Sequence, residues 1–268
     1  MEVLDELDIC FGDANSGDSA DETGLYGRAR AIRNRLEAAN DAIYEAIRSE
    51  IQLIGIQREQ GARPGMLLRW IEICRDRKET PPRGLSYDDL DELISGVLQL
   101  REPDNAPVHR GPEEVFYQPT PVRHILHLIE ASGLNEADCL VDLGSGLGHV
   151  TVLASILAGA RSIGIEAEAT YVGSAQECAN SLGLKRIAFV QQDARDADLS
   201  AGTVFYLYTP FTGTLLRTVL DKLRRESERR DIRVCTFGPC SLVAAREPWL
   251  RTNVSLTTDQ IVCFRSGG

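Results

Sequence analysis

The chain lacks several features that mark well-defined classes of protein. No stretch of its 268 residues approaches the roughly 20 apolar residues that a membrane-spanning helix needs. Its N-terminus shows no basic region followed by an apolar run. None of its seven cysteines forms a Cys-x-x-Cys pair, and its four histidines lie at no metal-ligand spacing. These absences argue against a membrane protein, a secreted protein and a metal site, and they predict a cytoplasmic protein with reduced thiols.

Positive charge is also scarce. The net charge is -11, and residues 1–24 contain eight acidic residues but no lysine or arginine. Gly, Ser, Asp and Asn dominate residues 12–24, a composition that predicts a disordered acidic tail. The rest of the chain is nearly neutral and shows no clustered basic face, so nucleic acid is not expected as a partner.

Residues 25–112 are predicted to form a helical region and a linker without any chemical motif. From residue 25 to about residue 59, apolar residues recur at spacings of three and four. Shorter helices are predicted over residues 66–77 and after a capping box of Ser86 and Asp89. The near-heptad seam of the long helix can pack within its own chain or form a homodimer with a second copy.

Residues 113–268 follow a different pattern, in which short apolar strands alternate with helices. Thr120 can cap a helix that Pro121 begins. The predicted strands cover residues 139–143, 162–165, 187–190, 203–207 and 232–237, followed by an antiparallel pair at 254–256 and 260–264. Strands separated by helices imply a parallel, doubly wound sheet with right-handed crossovers, so the predicted fold class is α/β.

A glycine-rich turn follows the first of these strands. Residues 141–149 read Val-Asp-Leu-Gly-Ser-Gly-Leu-Gly-His. Glycines let the backbone bend sharply and let a ligand approach closely, and the helix N-terminus behind them offers free amides. The dinucleotide pattern Gly-x-Gly-x-x-Gly fails, because His149 stands at its third glycine. The pattern present is Gly-x-Gly-x-Gly, preceded by Asp142.

Two further acidic residues follow the next two strands. Glu166 ends the second strand, about 20 residues beyond Gly144, where a carboxylate can accept hydrogen bonds from both hydroxyls of a ribose. Asp193 follows the third strand. Because the carboxyl ends of parallel strands meet at one edge of a sheet, the three loops are expected to form one site.

With these three loops, residues 113–265 resemble the class I S-adenosylmethionine-dependent methyltransferases. The resemblance implies a Rossmann-like sheet and the cofactor S-adenosyl-L-methionine. It also implies that Asp142 faces the methionine end of the cofactor and that Asp193 receives the adenine amino group. The full set of implied cofactor contacts is Tyr117, Thr120, Asp142, Gly144, Ser145, Gly146, Gly148, Glu166 and Asp193.

A narrower resemblance lies just before the first helix of this domain. Residues 116–121, Phe-Tyr-Gln-Pro-Thr-Pro, look like the Y-x-P-T-P segment of archaeal protein-lysine methyltransferases. Those enzymes are similar in turn to the Dot1 histone-lysine methyltransferases. In that group the segment folds over the cofactor, which implies contacts from Tyr117 and Thr120. A plain helix cap is the alternative role for Thr120.

The segment after the fourth strand is expected to bind the methyl acceptor. Family members that methylate bases or glutamine carry N-P-P-Y there, whereas this chain has Tyr208-Thr209-Pro210-Phe211. The departure argues against base methylation. Tyr208, Pro210 and Phe211 are therefore predicted to bind the acceptor, since an aromatic wall suits a lysine alkyl chain or a flat small molecule.

The predicted function is methyl transfer to a nitrogen acceptor, with a protein lysine as the first candidate. The alternatives are a small-molecule acceptor and a non-catalytic module that binds the cofactor. Methyl transfer from a sulfonium is an in-line displacement in which the protein mainly positions the reactants. Tyr117 and Tyr208 are the candidate catalytic residues, and His149 is a further candidate base.

Overall fold

The structure, a computed structural model, describes residues 20–57, 63–76, 86–101, 117–209 and 211–267. Its helical region contains α1 (Ala20–Gln57), α2 (Gly65–Asp76) and α3 (Asp89–Leu98). These elements confirm the three predicted helices. Helix α1 begins within the acidic segment that was expected to be disordered, and residues 1–19 of that segment lie outside the described residues.

The predicted start of α3 is wrong by two residues. The capping box is formed by Asp88 and Asp91, not by Ser86 and Asp89. Both pairs have the spacing that a capping box requires. A contact distant in sequence favours the observed pair, because Asp91 also accepts a hydrogen bond from the backbone of Val122 at 2.8 Å.

The second half forms the predicted α/β domain, with a seven-stranded sheet in the order β3-β2-β1-β4-β5-β7-β6. Strands β1 to β5 pair in parallel, and β7 runs antiparallel to β5 and β6. The chain order reverses between β1 and β4, which is where ligands bind in sheets of this kind. The elements are α4 (Val122–Ser132), β1 (Cys139–Leu143), α5 (His149–Ala158), β2 (Arg161–Glu166), α6 (Ala169–Ser181), β3 (Ile187–Gln191), β4 (Val204–Tyr208), α7 (Gly213–Ser227), β5 (Arg233–Phe237), α8 (Cys240–Ala244), β6 (Leu250–Arg251) and β7 (Val262–Ser266).

The predicted strand over residues 254–256 is wrong. Strand β6 lies four residues earlier, and Val254 and Leu256 stand in a loop where their side chains are 51% and 48% exposed. Their alternation with polar residues is typical of a strand, but neither pairs with a neighbouring strand. Sequence analysis also missed the short helix α8.

Alternate residues of the strands pack into separate hydrophobic clusters, as the period of a strand requires. Leu140 of β1 belongs to one cluster, and its neighbour Val141 belongs to the other. The first cluster also contains Ile47 of α1 and Leu67 of α2, so the helical region shares a core with the sheet.

Helix α1 is buried along only part of its length. Ile47 and Ile51 are fully or almost fully buried, whereas Ile32 and Leu36 are 49% and 39% exposed. The C-terminal part therefore packs within its own chain. A homodimer through the exposed part stays a prediction. Within the described residues, no helix combines the length and apolar character that crossing a membrane requires.

Candidate active site

A cleft of about 750 Å³ opens where the chain order reverses, at the carboxyl ends of the strands. Its walls come from the loops after β1 to β5, from the loop between β6 and β7, and from the strap, by which we mean residues 117–121. Three predicted site residues are not among those that line it. Gly146 and Gly148 lie in the glycine-rich loop but do not line the cleft, and Pro210 lies outside the described residues. The predicted site residues that do line it are Tyr117, Thr120, Asp142, Gly144, Ser145, His149, Glu166, Asp193, Tyr208 and Phe211.

The glycine-rich loop has a conformation and a packing that other residues would not tolerate. Gly144, Gly146 and Gly148 all have positive φ angles, of 82°, 53° and 85°. A Cβ atom on Gly146 would lie 2.0 Å from Cε2 of Tyr117, and one on Gly148 would lie 2.5 Å from the ring of Phe189. The bare backbone therefore allows the strap and β3 to approach the loop.

Glu166 joins the loops that follow β1 and β2. Its Oε2 accepts a hydrogen bond from the backbone N–H of Gly146 at 2.8 Å, and its Oε1 accepts one from Glu168 N–H at 3.0 Å. A carboxylate oxygen can accept more than one hydrogen bond, so both oxygens keep capacity for a ligand. The predicted contact with ribose hydroxyls is compatible with this arrangement.

Asp142 and Ser145 are buried polar residues in the wall of the cleft. Asp142 is 3% exposed and accepts a hydrogen bond from the hydroxyl of Thr151 at 3.0 Å. Burial raises the pKa of Asp142 to about 7, an effect that Thr151 opposes and Glu166 reinforces. The Oγ atom of Ser145 is buried without a hydrogen-bond partner among the described residues. Unmatched buried groups of this kind fit a wall that receives a polar ligand.

Asp193 has a partner that sequence analysis missed. The guanidinium of Arg195 donates to both of its oxygens, with a shortest distance of 2.6 Å, and Arg195 N–H donates as well, at 2.8 Å. Hydrogen bonds from Arg195 lower the pKa of Asp193, which keeps it ionised. The predicted contact with the adenine amino group stays a prediction.

Tyr117 places the strap across the glycine-rich loop. Its ring lies 5.1 Å from that of Tyr171, measured between centroids, and its hydroxyl is 3.1 Å from Nδ1 of His149. Burial lowers the pKa of His149 to about 4, so this imidazole is neutral at pH 7. A neutral His149 can accept the phenolic hydrogen bond of Tyr117 when its own proton is on Nε2.

Thr120 does not cap α4, contrary to the alternative considered for it. Pro121 occupies the cap position, and the Thr120 hydroxyl lies 3.0 Å from that of Tyr206, a buried residue of β4. This contact between residues far apart in sequence ties the strap to the sheet.

The helical region also holds the strap. Tyr87 donates to the carbonyl of Pro119 at 2.9 Å, and Asp91 accepts from Val122 N–H immediately after the strap. The guanidinium of Arg123 donates to the carbonyl of Ser86 at 2.5 Å. These three hydrogen bonds connect the start of α3 with the start of α4.

The acceptor side of the cleft is aromatic. The ring of Tyr208 packs on Phe237 at 4.7 Å, and Phe211 is 5% exposed. Burial raises the pKa of Tyr208 to about 12, so its side chain is a neutral phenol. Between them, Thr209 has a φ of 36°, which is unfavourable for a β-branched residue. Its hydroxyl holds this conformation by donating to the Phe237 carbonyl at 3.1 Å.

Comparison with known proteins settles the class of this site. The family model described as "Histone methylation protein DOT1" matches residues 111–201, a range that includes the strap and strands β1, β2 and β3. This chain is a class I S-adenosylmethionine-dependent methyltransferase, and its residues 111–201 are similar to the Dot1 family. Its assignment as an enzyme sets aside the alternative of a non-catalytic module. A search of curated proteins finds no match.

Several solved methyltransferase structures are similar to this one. An RNA methyltransferase from Salinibacter ruber, in complex with S-adenosyl-L-homocysteine, is 29% identical, with 56% of this chain and 92% of that chain covered and a TM-score of 0.46. A human methyltransferase 10 domain containing protein is 14% identical, with 65% and 92% covered and a TM-score of 0.45.

The charge of the methyltransferase cleft is of one sign. Among the described residues that line it, five are acidic and none is lysine or arginine. Sequence analysis missed Glu168 and Asp259, as well as Thr258, because none of them directly follows a predicted strand. The acidic residues are Asp142, Glu166, Glu168, Asp193 and Asp259.

Proposed function

We propose that this methyltransferase transfers its methyl group to an amine nitrogen, and that the acceptor is a lysine side chain of a protein. The charge of the cleft carries the proposal, because no described lining residue is lysine or arginine and two lining carboxylates, Glu168 and Asp259, are not among those that we assign to the cofactor. Such a cleft attracts an ammonium group and repels phosphate groups. An acceptor made of nucleic acid is therefore disfavoured.

The aromatic side chains of the acceptor side support the same acceptor. Tyr208 and Phe211 line the cleft together with Tyr117 of the strap. Aromatic faces pack against the alkyl chain of lysine and attract its positive end. The Y-x-P-T-P segment of the strap resembles protein-lysine methyltransferases, which adds independent support.

The residues of the cleft fit the cofactor. S-adenosylmethionine supplies, when bound, an activated methyl group on a sulfonium that leaves as a neutral thioether. We assign Glu166 to the ribose hydroxyls, Asp193 to the adenine amino group and Asp142 to the methionine end. The unmatched Ser145 hydroxyl and the glycine backbone that begins at Gly144 complete the polar wall.

The amine must lose a proton before it can react, because lysine has an ordinary pKa of about 10.4. When the proton of neutral His149 is on Nε2, the Tyr117 hydroxyl donates to Nδ1, and the lone pairs of its oxygen can then accept a hydrogen bond from the amine. Tyr208 is a neutral phenol that orients the amine without removing its proton. The proton passes to water, and the nitrogen lone pair then forms the new bond to carbon.

Radiolabelled cofactor and size-fractionated cell extract test this proposal. We expect label on large molecules that protease degrades and nuclease does not, and much less label with the Glu166→Ala variant at low cofactor concentration. Label that nuclease releases would contradict a protein acceptor.

The volume of the cleft favours a second candidate, a small amine metabolite. The cleft of about 750 Å³ must hold the cofactor as well, and the space that remains suits a small acceptor. Label confined to the small-molecule fraction would select this candidate.

A further inference from the structure

Three arginines lie side by side at the far edge of the sheet, across three neighbouring strands. Arg233 of β5 is the register partner of Arg265 of β7, which is in turn the register partner of Arg251 of β6. Directly opposed residues of antiparallel strands point to the same face, with Cα atoms about 4.5–5.5 Å apart. We call these three residues the arginine row. All three line a second groove, of about 1000 Å³.

The charge of the arginine row is only partly compensated. Arg233 pairs with Asp138 and donates to the carbonyl of Ser132. Arg251 and Arg265 are exposed and form no ion pair within the described residues. No described residue that lines the groove is acidic. Because like charges opposite each other destabilise a pair of strands, an anion bound between these two would stabilise the edge.

The groove and the cleft share one wall. The loop between β6 and β7 turns Thr257 and Gln260 toward the groove, and Thr258 and Asp259 toward the cleft. Strand β5 runs from the arginine row to the cleft, since it begins at Arg233 and ends at Phe237, whose ring packs against that of Tyr208. Four residues of strand correspond to about 13 Å.

We propose that the arginine row binds an acidic segment of the protein whose lysine enters the cleft. This inference rests on the proposed function. An acidic cleft beside a basic groove favours an acceptor with lysine at one point and carboxylates at another. An extended peptide covers the interval in about four residues. Arginine is suited to the task, since its guanidinium binds carboxylates with two parallel hydrogen bonds.

A polypeptide fits the groove better than a nucleic acid does. Of the three described arginines that line the groove, only Arg251 and Arg265 lack an acidic partner, whereas nucleic-acid sites commonly neutralise about 6–10 phosphates. The exposed apolar side chains of Val254 and Leu256 on the shared loop add a surface for a peptide backbone and its side chains.

Two fluorescent peptides test the proposal by anisotropy at low salt. The first carries three glutamates four residues from a lysine, and the second is identical except that alanine replaces the lysine. We expect both to bind the wild type and to bind Arg251→Glu and Arg265→Glu about ten- to a hundredfold more weakly. Arg225→Glu is the matched control, since it makes the same change of charge at an exposed position on α7 and should change affinity less than about twofold.

Calorimetry with S-adenosylhomocysteine shows whether each variant keeps its fold, and Arg251→Gln and Arg265→Gln provide milder substitutions if reversal of charge prevents folding. Equal weakening by the row variants and by Arg225→Glu would overturn the proposal, as would a failure of the glutamate peptides to bind. Tighter binding of a short RNA through the row would also overturn it. Binding of the lysine-free peptide through the row, without methylation of the first peptide, would support the groove while contradicting the proposed function.

Discussion

The helical region and the α/β domain contribute to the active site in different ways. Every described residue that lines the cleft belongs to the strap or to the α/β domain, and none belongs to residues 20–101. The helical region acts through contacts instead, since Tyr87, Asp91 and Ser86 hold the strap and the start of α4. The comparison shows that a region without a chemical motif can still position the residues of a site.

Adding a methyl group between the glycine-rich loop and the strap should have the largest effect on cofactor affinity. In Gly146→Ala the new methyl group would overlap the ring of Tyr117, which must then move away from the cleft. We expect affinity for S-adenosylhomocysteine to fall by about 3 kcal/mol, the cost of overpacking a close contact. Gly173→Ala on α6, where a Cβ atom meets nothing within 4 Å, is the control. Calorimetry measures both, and equal affinities would contradict the close approach.

Removing the carboxylate of Glu166, in the α/β domain, should have the next largest effect on cofactor affinity. Glu166→Ala deletes the proposed ribose contact and two hydrogen bonds to backbone N–H groups. Affinity for S-adenosylhomocysteine is expected to fall by about 2 kcal/mol. Glu177→Ala on the exposed side of α6 should leave it unchanged. Unchanged binding in Glu166→Ala would remove this residue from the site.

Cofactor affinity should depend on pH through Asp142, whose pKa burial raises from 3.8 to about 7. Only the ionised form attracts the amino group of the cofactor, so affinity should rise about tenfold between pH 6 and pH 8. The same shift means that the folded protein binds the extra proton, so stability falls as pH rises from about 4 to 7. Asp142→Asn should flatten both profiles. A wild-type binding profile that is flat from pH 6 to pH 8 would contradict the assignment.

The smallest effect on cofactor affinity is expected from a substitution in the helical region. Asp91→Ala removes an acceptor for Val122 N–H and one half of the capping box of α3. We expect the free energy of unfolding to fall by about 1–2 kcal/mol and cofactor affinity to fall only about threefold. Asp89→Ala, in the first turn of the same helix, lacks these bonds and is the control. A loss of stability without any change in affinity would show that the helices do not position the strap.

The difference between the two regions also explains what the sequence could predict. Asp142, Glu166 and Asp193 were found because each lies at or just beyond the end of an apolar strand, and parallel strands bring such positions to one edge. The predicted strands over residues 139–207 begin and end within one residue of those in the structure.

Contacts between residues distant in sequence escaped prediction. The sequence predicts that Thr120 contacts the cofactor, with a helix cap as the alternative, but it does not predict the contact of the Thr120 hydroxyl with Tyr206, 86 positions away. The arginine row depends on the register of β5 and β7, which no local pattern encodes. The wrong prediction of a strand at residues 254–256 also reflects a distant contact, in this case a missing one. The local pattern there is typical of a strand, but no partner strand lies beside these residues.

The chemical identity of the methylated group tests the central claim most directly. Protein labelled by the enzyme and radioactive cofactor can be hydrolysed to amino acids and separated by chromatography. An acidic, aromatic-walled cleft predicts radioactivity in Nε-methylated lysine. Radioactivity in a methylated nucleoside, or in an amino acid without an amine side chain, would contradict it.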